Sequence, residues 1–188
     1  MRYAILALLA ALPLVQGCVP LVVGGAAATG VVVSQDRRTV GTITEDEGIE
    51  LRANSRLRER FGENAYISVT SYNRMVLLTG QAPDAKMRAE AEAITRGVTN
   101  VRGVYNEVAV AGVSSFTARS NDSIITSKVK ARFVDSRKFN AIHVKVVTDN
   151  NVVYLMGLVN KQEADDATEV ARTTGGVQKV VRVFEYLD

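Results

Sequence analysis

The sequence predicts an α+β fold of two tandem domains. Each reads helix, strand, strand, helix, strand, with two helices packed on a three-stranded mixed sheet. Three observations carry this expectation. The second half of the chain repeats segments of the first in the same order. The helical segments place apolar residues four apart along one face. The strand segments alternate apolar and polar residues and are punctuated by turn residues. The chain has 188 residues, room for one medium domain or two small ones once a leader is removed.

The repeat is legible at three places. Ser55-Arg56-Leu57-Arg58-Glu59-Arg60-Phe61 matches Ser127-Lys128-Val129-Lys130-Ala131-Arg132-Phe133 at an offset of 72. Met75-Val76-Leu77-Leu78-Thr79-Gly80 matches Val152-Val153-Tyr154-Leu155-Met156-Gly157 at an offset of 77. Val101-Arg102-Gly103-Val104 matches Val177-Gln178-Lys179-Val180 at an offset of 76. Read this way, the second unit carries five extra residues between its first helix and its hairpin, near Asp135 to Asn140.

In the first unit, Ile49, Ala53, Leu57 and Phe61 make one apolar helical stripe. Ile67, Val69 and Ser71 alternate with polar neighbours as a half-buried strand does. Asn73-Arg74 turns the chain into Val76-Leu77-Leu78, and Gly80 ends that strand. Pro83-Asp84 opens a second helix with Met87, Ala91, Ile94 and Val98 on one face. Val104 to Val110 is the closing strand. In the second unit, Asn121-Asp122-Ser123 is a helix start by its capping residues, followed by Ile125, Val129 and Phe133. Val144 and Val146, a turn at Asp149-Asn150-Asn151, then Val153 and Leu155 form the hairpin, which Gly157 closes. Ala164, Thr168 and Ala171 line the second helix, and Val180 to Tyr186 is the last strand. Asn and Asp suit the turns because they bond locally and tolerate left-handed backbone. The domain boundaries that follow are 45–112 and 121–188, with a linker over 113–120. Units of about 65 residues are small, and two packed together bury more surface than either alone.

Before the repeat lies a leader. Arg2 precedes an apolar run from Ala4 to Leu14, and Leu14-Val15-Gln16-Gly17 leads to Cys18, the only cysteine in the chain. A charged start, a short apolar core and a small residue before the cut make a secretory signal peptide, here 1–17. The run is shorter than the roughly 20 residues a spanning helix needs. Leu-Val-Gln-Gly-Cys resembles the lipobox of bacterial lipoproteins. That resemblance implies cleavage before Cys18 and acylation of both its thiol and its new amino group. Acyl chains contribute about 0.8 kcal/mol per buried methylene, and stable anchoring takes more than one. Residues 18–44 are then the lipidated cysteine and a tether. Its apolar part, Leu21 to Val33, either lies on the membrane surface or packs on the body. Asp36-Arg37-Arg38-Thr39-Val40-Gly41-Thr42 is a polar lead into the first unit. Val19, rather than Asp, after the cysteine implies, by the same family resemblance, an outer-membrane address facing the periplasm.

Composition excludes several classes. With 23 Lys and Arg against 20 Asp and Glu, the formal net charge is +3, too weak to argue for nucleic acid. With Cys18 acylated, no disulfide can form within one chain. His143, the only histidine, is expected as a surface or edge residue at a strand start. One histidine and one acylated cysteine make neither a His/Cys metal cluster nor a Cys-His pair. Gly24-Gly25 and Gly175-Gly176 lack the flanks of a phosphate loop, and Ser114-Ser115 falls in the linker. Asp165-Asp166 with Glu163 and Glu169 reads as a solvated helix face. No catalytic constellation, metal site or cofactor is expected.

A lipobox followed by two such units, each with a strand pair ending Leu-x-Gly and a Gly-Val-x-x-Val strand, resembles the dual BON-domain lipoproteins. The likeness covers roughly 36–188. Its more specific pieces are Arg38-Thr39-Val40-Gly41-Thr42, Asn121-Asp122-Ser123-Ile124-Ile125-Thr126-Ser127-Lys128 and Leu155-Met156-Gly157-Leu158-Val159. The resemblance implies phospholipid binding in the periplasm and a role in outer-membrane integrity, and it implies no catalysis.

One surface fits that expectation. Lys128, Lys130 and Arg132 fall within five residues, with no acid between Ile124 and Val134. Ile124 lies about 100° from the buried stripe of Ile125 and shares a face with Lys128; the 72-residue offset makes Arg52 its counterpart. An apolar residue beside basic ones suits an anionic phospholipid surface. The other reading packs Ile124 on the first unit and leaves the lysines solvated. Two functions therefore stand: a non-catalytic lipoprotein contacting anionic phospholipid through Ile124, Lys128, Lys130 and Arg132, or an adaptor for envelope protein partners that lipidation merely localises.

Overall fold

The computed structural model describes residues 35–187 except Val113. The leader, Cys18 and most of the tether lie outside the described residues. From Asp36 onward the chain forms one compact unit. Its elements are α1 (Val40–Phe61), β1 (Tyr66–Tyr72), β2 (Met75–Ala82), α2 (Ala85–Arg96), β3 (Gly103–Asn106), β4 (Ala109–Val110), α3 (Phe116–Ser136), a 3₁₀ turn (Ala141–His143), β5 (Val144–Asp149), β6 (Val152–Val159), α4 (Lys161–Arg172) and β7 (Lys179–Tyr186). In each half the hairpin is antiparallel and the last strand runs parallel beside the second strand, giving the expected mixed sheet.

The helices pack on one face of each sheet. Ile49, Ala53, Leu57 and Phe61 meet Val76 and Leu78 in the first half. Ile125, Val129 and Phe133 meet Val153 and Leu155 in the second. The intervening residues of the same strands point the other way and form a third cluster: Tyr72 and Leu77 with Tyr154, Met156, Leu158 and Val183. The two sheets therefore pack back to back. This explains why β2 and β6 read as near-continuous apolar runs: a strand covered on both faces has no polar side to show. Around this apolar centre the seam is polar. Lys145 Nζ donates to Glu50 at 2.8 Å, and Gly80 N–H donates to Asp149 at 3.2 Å.

Several sequence expectations need correcting. The helical repeat is offset by 76 residues, not 72. Asp46 and Asp122 are equivalent: each is buried, and each accepts the two backbone N–H groups of its hairpin turn, Asn73 and Arg74 or Asn150 and Asn151. A stripe of period four looks the same when slid by four residues, and only the carboxylate reaching the turn fixes its phase. Of the five extra residues predicted near Asp135, four follow from that slip and disappear with it; one remains, since the hairpin turns Asn73 and Asn150 are offset by 77. The counterpart of Ile124 is Gly48, not Arg52.

The second unit's helix starts at Phe116, capped by Ser115, so most of the supposed linker is helix; Asn121 is an interior residue. In the same way Thr39 caps α1, which begins five residues before the expected boundary. Gly80 and Gly157 do not end their strands but lie inside β2 and β6. A Cβ at either would sit 2.0 Å from the Tyr66 carbonyl oxygen or 2.3 Å from that of His143. Glycine is there because the paired strand crosses too close for any side chain. The closing strand of the first half breaks into β3 and β4 around Glu107 and the buried Val108.

Candidate functional site

The face that singles itself out is the outer side of α3. Ile125, Val129 and Phe133 turn inward, and the helix is held at both ends. Arg119 stacks its guanidinium 4.6 Å from the Tyr66 ring of the first domain. Asn121 Nδ2 donates to Asn151 Oδ1 at 2.8 Å, and the Thr126 and Thr148 hydroxyls meet at 2.7 Å. With its inner side fixed, the helix presents Phe116, Ile124 and Val134 outward, exposed by 78%, 53% and 65%. At about 100° per residue these three fall within about 80° of one another, opposite the buried stripe. Ser120, Ser127 and Ala131 lie between them and leave the larger side chains standing proud. From Phe116 to Val134 the stripe runs about 27 Å along the helix.

Lys128 and Lys130 flank the stripe, about 40° beyond it on either side. Both are exposed and make no ion pair among the described residues. Arg132 is turned elsewhere. Its Nη1 donates to the Val170 carbonyl at 3.0 Å and to Thr174 Oγ1 at 2.8 Å, and its Nη2 donates to Thr173 Oγ1. It thus neutralises the carbonyl end of α4, as a cation at a helix C-terminus does. Arg56 does the same for α2 through the Gly97 carbonyl at 2.9 Å. Of the residues expected at this surface, the fold brings Ile124, Lys128 and Lys130 together and gives Arg132 an internal partner. Phe116 and Val134 escaped the sequence reading. Their signal was spacing: eight and ten residues from Ile124 return to nearly the same helical face, but one lay in the supposed linker.

The equivalent face of the first domain is shorter: α1 exposes Val40 and Leu51 there, by 62% and 74%. The positions equivalent to Phe116, Ile124 and Val134 are Val40, Gly48 and Arg58. Lys128 has Arg52 as its counterpart, and that guanidinium is paired to Glu45 at 2.5 Å.

The other candidate residues are structural. His143 sits in the seam rather than at an edge, its side chain 12% exposed and Nδ1 3.8 Å from Glu163. Glu163 is not part of a bare acidic face. It closes a capping box with Asn160 and takes both guanidinium nitrogens of Arg37 at 2.7 and 2.8 Å. Those bonds hold its carboxyl below the usual glutamate range. Asp165 pairs with Arg182 at 2.7 Å, and Asp166 lies 3.7 Å from Lys138. Among the described residues no group of three or more His, Cys, Asp or Glu is placed to hold a metal ion. No helix among them is long and apolar enough to cross a membrane.

Comparison with known proteins adds a family. The sequence profile of the BON domain matches residues 45–112 and again 121–188. The chain is similar to the outer membrane lipoprotein DolP of Haemophilus influenzae, 39% identical over 184 residues, which covers 96% of this chain and 94% of that protein. It is 36% identical to a protein named 21 kDa hemolysin from Actinobacillus pleuropneumoniae, over 81% of this chain and 79% of the other. It is 28% identical to the osmotically-inducible protein Y of Escherichia coli, over 81% and 78%.

Proposed function

The chain belongs to the BON-domain family, with two copies of the domain, and from that premise we propose that it is an outer-membrane lipoprotein whose second domain contacts anionic phospholipid. Acylated Cys18 ties it to the outer membrane from the periplasmic side. The role is non-catalytic and supports the integrity of the envelope. The likeness to an outer membrane lipoprotein over nearly the whole chain supports the address.

The observation that carries the lipid reading is the outer face of α3: apolar residues in line, small residues between them, and unpaired lysines on both flanks. Apolar side chains enter the acyl boundary while each lysine near an anionic surface contributes about 1 kcal/mol. Lys128 and Lys130 serve as the headgroup contacts, with Arg132 committed to α4.

The test is co-sedimentation of residues 36–188, which hold all three core clusters, with neutral and with anionic vesicles at two salt concentrations. Salt-sensitive binding to anionic vesicles alone, lost in Ile124→Glu, is the expected result, since surface attraction is screened over about 10 Å at 0.1 M salt. No binding by the folded body at low salt refutes the lipid reading. That outcome leaves a protein partner in the envelope as the function.

A further inference from the structure

Three residues ahead of α1, Asp36, Arg37 and Arg38, join the two domains. Arg37 reaches the second: Nη1 donates to the Leu158 carbonyl at 2.7 Å, and both terminal nitrogens bind Glu163. Arg38 reaches the first: Nη1 donates to Asp46 at 2.9 Å, and its guanidinium lies 4.0 Å over the Tyr72 ring. Asp36 returns to hold Arg38 through Nε at 3.2 Å and Nη2 at 2.9 Å. The chain bends at Asp36, Arg37 and Arg38, and the two consecutive arginines reach different domains, so one dipeptide grips both bodies. The pairs are half-buried and the Arg37–Glu163 contact is bidentate, the kind of ion pair that fixes geometry rather than a loose surface contact.

The internal repeat supplies a control. By the 76-residue offset, Thr39 and Ser115 are equivalent helix caps, so the positions equivalent to Arg37 and Arg38 are Val113 and Ser114. The second domain makes its buried carboxylate–turn contact through Asp122 with no arginine on it. The arginine pair is therefore not required to build a domain of this kind. It occurs only where the tether enters the body.

That entry point has a defined relation to α3. The helix ends at Ser136, and the short path through Asn140 brings the chain to His143, beside Glu163. Arg37 is thus anchored in the domain that carries α3, at the N-terminal end of α4. We propose that Arg37 and Arg38 act as a clasp. It passes the pull of the membrane anchor to the second domain and holds the two domains as one body, so that α3 is presented to the membrane in a fixed orientation. The orientation part rests on the lipid reading of α3; the clasp itself does not. Arg37, Arg38 and Glu163 are positioning residues and touch no lipid. From Cys18 to Asp36 the chain can span at most about 60 Å, so the length of the tether alone does not fix which face the body presents.

Two measurements test this separately. The first is amide hydrogen exchange on residues 36–188 with Arg37→Ala and with Glu163→Gln, the latter keeping the capping box, which accepts Gln. The Gly80 N–H, whose acceptor is Asp149 of the other domain, reports the seam. Its exchange is expected to rise about tenfold in both variants while interior amides of α1 and α3 keep theirs, since a local opening need not involve the whole fold. Unchanged seam exchange in both variants overturns the clasp, whatever vesicles show.

The second uses the mature chain coupled through Cys18 to a maleimide lipid in anionic vesicles, with Ile124→Trp as reporter; the chain has no other Trp. Brominated lipids are expected to quench this Trp, and Arg37→Ala to reduce the quenching by half or more while the untethered body binds as before. Undiminished quenching in Arg37→Ala refutes the orientation role. A reporter that is unquenched even with the clasp intact refutes the lipid reading instead and leaves the clasp to be decided by exchange.

Discussion

Phe116→Ser is the substitution that most sharply tests the extent of the membrane face. Phe116 is the first residue of α3 and lies five residues ahead of the second matched domain. Burying a whole Phe side chain is worth up to about 3 kcal/mol, and only the part not already covered can contribute. With 78% exposed, transfer of that surface out of water amounts to about 2 kcal/mol if the ring enters fully. Insertion to the headgroup boundary gives about half of this, so the affinity for anionic vesicles should fall about 5- to 30-fold. Stability should barely change, because an exposed surface side chain is usually worth less than about 0.5 kcal/mol and Ser115 remains the cap. The assay is vesicle titration of residues 36–188 at low salt, paired with thermal melting to show that the fold is intact. A loss under about twofold, alongside a full loss in Ile124→Glu, would refute the reasoning: the contact would then be a short patch around Ile124 and not a stripe along the helix.

Other outcomes follow from the same structure. Asp46→Ala orphans two turn N–H groups and the Ser71 hydroxyl and removes one of the two carboxylates on Arg38, whereas Asp122→Ala orphans only the turn. Unpaired buried donors cost about 1–3 kcal/mol each when water cannot reach them, so urea unfolding should show a loss of about 3–4 kcal/mol for the first and about 2 for the second. Equal losses would mean that Arg38 is indifferent to Asp46. Burial pushes the Asp149 carboxyl above the usual aspartate range, against the bonds from Gly80 and Gln81. A raised carboxyl favours folding below its unfolded pKa and loses that contribution as pH rises through the folded one. Asp149→Asn should therefore gain stability relative to the parent as pH rises across that interval, and a flat difference would contradict it. Glu163 has the opposite sign. Held low by Arg37, it stabilises above the usual glutamate pKa and ceases to do so only as pH falls through its depressed value. Parent and Glu163→Gln should accordingly converge in acid, as read from melting temperatures across pH.

Most of the fold could be read because its signals were local. Period-four stripes, Asp84 as a cap and turns at Asn73 and Asn150 each depend on neighbours a few residues away, and every expected helix and strand exists, although α1 and α3 start earlier and the closing strand of the first half breaks in two. What failed depended on distance. The phase of the helical repeat is set by Asp46 reaching a turn 27 and 28 residues on, and nothing in the stripe itself distinguishes one turn from the next. Asn121 reads as a helix start because three capping residues stand there, but Ser115 is the cap and the intervening residues tolerate helix. The site was half legible for the same reason. Ile124 beside Lys128 is a local pattern, while Phe116 joins it only once α3 is known to be continuous. The internal engagement of Arg132 depends on where α4 ends. Arg37 and Arg38 read only as part of a polar lead into the first unit because their partners lie up to 126 residues away.

The back-to-back sheets bear on how such a chain can change. Each half keeps the full element order of an autonomous domain, yet each also has an inner face of Tyr72 and Leu77 or of Tyr154, Met156 and Leu158 that only the other half covers. Duplication has thus produced two copies that are no longer interchangeable parts. Severed between the domains, each would carry a sticky sheet surface and tend to self-associate. A designer wanting the second domain alone would have to repaint alternate positions of β6 with polar residues, leaving the helix side of the strand as it is.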